Sequence, residues 1–95
     1  MFTLSFTNKF EKDLKRIKKR SIKDFELTRT FLVKELSING AKGLSKKYFA
    51  HKLSGDFKDN WECHIKPDLL IIWIEISKEN EITLVRIGSH SDLFK

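Results

Sequence analysis

One cysteine, Cys63, stands in the whole chain of 95 residues. A lone cysteine excludes an internal disulfide and fits a reducing compartment, so a cytoplasmic protein is expected. Zinc has little to work with. Cys63 and His64 are adjacent, and adjacent strand residues point to opposite faces, so both reach one ion only if the strand is distorted. With no second cysteine and no HxxxH pair, no metal and no cofactor are expected. No nucleophile elbow of the G-x-S-x-G kind is present, which argues against a Ser/His/Asp hydrolase. The longest apolar block, Leu69 to Ile74, is far shorter than a membrane span, and charges recur from Lys9 onward where a secretory signal would be apolar. No membrane partner is expected, and no repeat, linker or low-complexity tract divides the chain. Residues 1–95 are read as one domain with a modest core.

The composition that remains is basic. Lysine and arginine number 19 against 13 acidic residues, a formal charge of +6, which favours phosphate-rich partners or an acidic protein. Phe2, Leu4 and Phe6 alternate with hydroxyl residues as a strand with one buried face does. Thr7 or Asn8 then caps a helix with Phe10, Leu14 and Ile17 on its inner stripe. The cations from Lys15 to Arg20 suit a helix C-terminus but exceed what capping needs, and so point to RNA backbone or an acidic partner. Ser21 caps a second helix with an inward stripe of Ile22, Phe25, Leu32, Val33 and Leu36, ending near Asn39 and Gly40.

Ala41 to Lys47 reads as a mobile basic loop whose end Tyr48 and Phe49 anchor to the core. Phe57 to Ile65 reads as a strand, with Trp61, Cys63 and Ile65 inward and Glu62, His64 and Lys66 on a polar face. Pro67 and Asp68 make a tight connection into Leu69 to Ile76, apolar on both faces like a central strand. After a turn at Lys78 to Asn80 comes a last strand, Glu81 to Ser89. There Ile82, Leu84, Arg86 and Gly88 share one face, and Thr83, Val85 and Ile87 the other. The expected fold is α+β in the order βααβββ, a small antiparallel-type sheet against an N-terminal helical hairpin.

All three histidines fall at strand ends or loops: His51 before a glycine turn, His64 beside Asp68, His90 after the last strand. Imidazoles, a carboxylate and a guanidinium without a metal suit transfer at an RNA phosphodiester. A base takes the proton of the ribose 2′-hydroxyl, a cation steadies the phosphorus oxygens, and an acid protonates the leaving 5′-oxygen. Since the nucleophile belongs to RNA, DNA is no substrate. Arg86 and nearby lysines are candidate cations, and Phe94 either stacks on a base or plugs the core. The spacing permits this chemistry without selecting it.

Three ordered blocks add more: HKLSG (51–55), CHIKPDLLIIW (63–73) and RIGSHSDLF (86–94) resemble the signature of the YafQ-type branch of the RelE toxin superfamily. The resemblance implies a RelE-like fold and a type II toxin, an mRNA interferase that cuts translated mRNA in the ribosomal A site. It also implies a cognate antitoxin as partner and no DNA binding by the toxin alone. Carried over by motif, His51, His64, Asp68 and His90 are the catalytic set, Arg86 supports the phosphate, and Phe94 orients the nucleotide. On this reading His51, His64 and Asp68 serve proton abstraction and alignment and His90 donates the proton, the reverse assignment of base and acid staying open. Two positions depart from the pattern: Trp61 stands where relatives often carry arginine, and Trp73 where they often carry tyrosine. Lys52, Lys58 and Lys66 are the substitutes for the missing cation. Two other readings stay open, a ParE-like toxin that inhibits gyrase by binding and a basic RNA-binding module without activity. The histidine set, which a pure binding surface does not need, separates them from the first.

Overall fold

A computed structural model describes residues 1–57 and 59–94. Chain order is β1 (Thr3–Phe6), α1 (Asn8–Arg20), α2 (Ile22–Phe31), a π-helical turn (Leu32–Leu36) and α3 (Ser37–Gly43), then β2 (His51–Lys52), β3 (Trp61–Lys66), β4 (Leu69–Ile76), β5 (Glu81–Gly88) and α4 (His90–Leu93). The sheet runs β1-β5-β4-β3-β2, so the helices carry the chain from one edge strand across to the other. This is the expected α+β, RelE-like architecture, with additions the sequence did not announce. β1 lies parallel to β5 while the other pairs are antiparallel, and two residues at His51 form a fifth strand.

Local chemistry sets the helix ends. Thr7 caps α1 by accepting the Phe10 N–H at 3.1 Å, and Ser21 ends α1 with its own N–H while its hydroxyl accepts from Asp24 to start α2. One residue therefore makes the joint of the helical hairpin.

The inward stripe of α2 differs from the expected one. Ile22 and Val33 are exposed, whereas Thr28, Phe31, Leu32 and Leu36 are buried. Thr28 belongs to the stripe because its hydroxyl is satisfied by the Asp24 carbonyl at 2.8 Å, a polar residue that a hydrophobic count passes over. The π-turn adds a residue per turn and shifts the phase, so Phe31 and Leu32 both face the sheet. At Gly40 the backbone turns to φ 65°, and a Cβ there would come within 2.7 Å of the Phe2 ring.

The segment read as a loop from Ala41 to Lys47 is partly helical, with a buried Ala41 and a 3₁₀ turn over Lys46–Tyr48. Tyr48 anchors it edge-on against Phe31 with ring centroids 5.0 Å apart. Phe49 does not; its left-handed backbone turns the ring outward.

Two cores sit on the two faces of the sheet. Under the helices, Phe10, Ile17, Phe31, Leu36, Ile71, Trp73, Ile82, Leu84 and Ile87 pack together. Truncating a fully buried ring here, Phe10→Ala for instance, costs about 3–5 kcal/mol in similar cores. On the opposite face a smaller cluster joins Leu70, Ile72 and Leu93 with Leu53, Phe57 and Val85.

Three strand readings need correction. β3 begins at Trp61, because a 3₁₀ turn at Gly55–Phe57 and a left-handed Asp59 occupy the approach. A register shift opposite Ile72 and Trp73 inserts an extra residue into β5, so Ile87 returns to the face of Ile82 and Leu84 instead of sharing that of Thr83. β4 is covered on both faces only as far as Trp73, and Ile74 and Ile76 are exposed.

Candidate active site

The antiparallel register of β2 and β3 sets His51 directly opposite Glu62, and that of β3 and β4 sets His64 opposite Leu70. Cross-strand partners share a face, so Glu62 and His64 stand with Ile72 and Leu70 on the face away from the helices. Alternation is thus as expected, but solvent is not. The second core shields that face, and Glu62 is 4% exposed.

Glu62 is the residue that sequence reasoning left on a wet polar face. Its Oε1 lies 3.3 Å from His51 Nε2 and 3.9 Å from His64 Nε2, and its Oε2 is buried without a partner among the described residues. His51 Nδ1 donates to the Phe49 carbonyl at 2.8 Å, so both its ring nitrogens face acceptors. The signal for this role lay in the two-residue strand β2, which is too short for a periodicity to show.

The other end of the cluster is built by β5 and α4. Ser89 and Asp92 form a reciprocal capping box that starts α4 and places His90 in its first turn. Asp68, in the β3–β4 turn, accepts from the His90 backbone N–H at 3.0 Å and lies 3.2 Å from His90 Nδ1. The backbone bond first, and the ring bond second, hold the Asp68 carboxyl below the usual aspartate range. His90 and His64 then meet with ring centroids 5.7 Å apart. One continuous set results: His51, Glu62, His64, His90, Asp68.

The other candidates are placed differently. Phe94 is partly exposed, 6.4 Å from the His90 ring and edge-on to Phe57. Arg86 sends its hydrogen bonds to Asp13 on α1, Nε to Oδ2 at 2.7 Å and Nη2 to Oδ1 at 3.1 Å, and the Asp13 carboxylate raises its pKa further. It occupies the same cross-strand row as Glu62 with Ile72 between them. Lys66 is paired with Asp24 at 2.7 Å, and Lys52 lies over the Trp61 ring at 5.6 Å. Lys58 lies outside the described residues. Cys63 faces the helical core; burial first, and the charge of Glu62 second, push its thiol up, which removes it as a nucleophile.

A carboxylate flanked by two imidazoles at one end and a second carboxylate on a third imidazole at the other can move two protons across the gap between them. The sheet order and the helical hairpin define an α+β protein of RelE-like fold. A family model described as "Bacterial toxin of type II toxin-antitoxin system, YafQ" matches residues 2–95, and the chain belongs to that family.

Among solved structures, YafQ from E. coli strain BL21(DE3) is 25% identical over the full length of both chains with a TM-score of 0.83. A metal-bound toxin from Helicobacter pylori is 42% identical over 99% of this chain and 100% of that one, with a TM-score of 0.82. The E. coli DinJ–YafQ complex matches at 26% identity over all of both chains, also at 0.82. A search of curated proteins finds no match. Among the described residues no group of three or more His, Cys, Asp or Glu side chains is arranged to hold a metal ion.

Proposed function

We propose that this toxin is a ribosome-dependent endoribonuclease that cuts translated mRNA in the A site, in the cytoplasm, and that a cognate antitoxin silences it. The observation that carries the reading is the approach of His64 to His90 within 5.7 Å, with Glu62 and Asp68 as their outer carboxylate neighbours. Glu62, with His51 and His64, forms the base end and takes the 2′-hydroxyl proton. At the other end Asp68 accepts from His90 Nδ1 and orients the ring, leaving Nε2 to protonate the departing 5′-oxygen. Arg86, Arg16 and Arg20 stand against Asp13 and Asp92, three cations against two anions, which leaves positive charge for the phosphate. Lys52 adds to that field, Lys66 being paired with Asp24, and Phe94 offers a face to a base.

Support for the antitoxin comes from the E. coli relative, which is solved in complex with DinJ. For this chain an acidic antitoxin segment over the basic helix α1 fits the charge, and its binding should weaken with salt. The test is induced expression with primer-extension mapping of cellular mRNA. Wild-type protein should arrest growth and leave cut messages, and a His64→Ala/His90→Ala double variant should be tolerated without cuts. Unchanged toxicity in the double variant overturns the catalytic reading, and DNA damage without mRNA cuts would favour gyrase inhibition.

A further inference from the structure

We infer that Phe49 and the groove beside it form a nucleobase subsite that seats one unpaired base of the RNA whose phosphodiester lies at the histidines. The inference rests on the ribonuclease reading and names the part of the substrate held on the side away from Phe94. Four rings stand in a row: Phe49 to His64 at 6.0 Å, His64 to His90 at 5.7 Å, His90 to Phe94 at 6.4 Å. The two imidazoles are therefore flanked by an exposed aromatic ring on each side.

Phe49 is an unusual choice for its position. It is 69% exposed and sits at φ 53°, ψ 46°, a left-handed conformation that bulky side chains avoid and that glycine adopts freely. The backbone is fastened there from both ends, its N–H to the Lys46 carbonyl at 3.0 Å and its carbonyl to His51 Nδ1 at 2.8 Å. Strain kept at a residue that contributes nothing to the core, and tied directly to a proposed catalytic ring, is the pattern of a site under functional constraint.

Beside the ring lies a groove of ≈ 870 Å³ whose walls include Leu27, Tyr48, Phe49 and Pro67, with Lys47 among them, and which shares His51 and His64 with the candidate site. That volume is in the range of small-ligand pockets and takes a nucleotide. An aromatic face, apolar walls, a nearby ammonium and continuity with the two imidazoles match single-stranded RNA, whose splayed bases stack on aromatic rings. Continuity with His51 and His64, the groups proposed to act on the phosphodiester, favours RNA over a protein segment.

The test measures cleavage of an A-site codon on programmed ribosomes as a function of toxin concentration, for the wild-type chain, Phe49→Gly and Phe49→Trp, with Tm recorded for each. Phe49→Gly should raise the half-saturating concentration about tenfold, as loss of one stacked base does. Its Tm should be no lower than wild type, because glycine accepts the left-handed backbone. Phe49→Trp should stay near wild type. Unchanged half-saturation and unchanged cut positions in Phe49→Gly overturn the subsite, as does a Phe49→Gly that loses only antitoxin binding. If the wild-type chain leaves the mRNA intact, the ribonuclease reading itself has failed, and the subsite with it.

Discussion

Asp13 and Glu62 are both buried, at 3% and 4% exposure, and the molecule treats them in opposite ways. Asp13 receives Arg86 through two bonds, Arg16 through a third and the Ile87 backbone N–H through a fourth. Every lone pair that burial strips of water has a donor, and the carboxylate fastens α1 to β5. Glu62 has one oxygen facing two imidazoles at 3.3 and 3.9 Å and another with no partner among the described residues. A buried carboxylate left short of donors costs stability, so its retention needs another reason. The first arrangement suits a joint. The second suits a group that exchanges protons or receives a ligand's donor.

The sharpest way to break the comparison is to remove each acid. Asp13→Ala leaves Arg86, which is only 21% exposed, and the buried Ile87 N–H without their acceptor. Breaking one side of a buried pair costs about 3–5 kcal/mol, or roughly 15 °C or more in Tm for a chain of this size. A fall of a few degrees would show that Asp13 is no joint. Glu62→Gln keeps the shape and changes the charge. Cleavage on programmed ribosomes should drop about 100-fold, as loss of a general acid–base group does, with stability within about 1 kcal/mol of wild type. Wild-type cleavage by this variant, or a melting loss like that of Asp13→Ala, would erase the distinction between the two acids.

That distinction was only half legible in the chain. His51, His64 and His90 stood out because histidine is rare here and all three fall at strand ends or loops, and the family motif added Asp68 and a catalytic role for the set. Glu62 did not stand out, because alternation assigns it a face and not the cover on that face. Its burial depends on Leu53, Phe57 and Leu93 folding back from outside β3 and on a two-residue strand with no periodicity to read. Phe49 failed for a related reason. An aromatic residue after a basic loop reads as an anchor, and only a backbone angle shows that its ring points out. The order of helices and strands was plain from apolar spacing, but the parallel β1–β5 pair was not, nor was the extra residue in β5 that turns Ile87 inward. Such features depend on register between distant segments.

The joint and the histidine end meet at α4, and smaller perturbations there sharpen the comparison. At Gly88 an added Cβ would lie 2.9 Å from Asp92 Cβ and 3.0 Å from its Oδ2. Gly88→Ala should therefore push α4 away at a cost of about 1–3 kcal/mol and lower cleavage by displacing His90. Full cleavage and an unchanged Tm would mean that α4 is not held where His90 needs it.

Asp92 itself gives the smallest effect, and one with a definite sign. The Ser89 backbone N–H first, then Arg20, the Ser89 hydroxyl and Arg16, hold its carboxyl at about 2 instead of the usual 3.8. A depressed folded value means that the ionised form is favoured by folding. Its stabilisation is complete above the ordinary value and is lost as pH falls from about 4 towards about 2. Exposure to solvent limits the contribution to about 1 kcal/mol. Asp68, shifted the same way by His90, adds to the same acid limb. Denaturant titrations from pH 6 to pH 2 should therefore show a shallower acid limb for Asp92→Asn than for wild type, with the two curves converging at the acid end. Parallel curves would mean that Asp92 carries no charge-dependent link between α1 and α4, and that the arginines of the joint do not reach the histidine end.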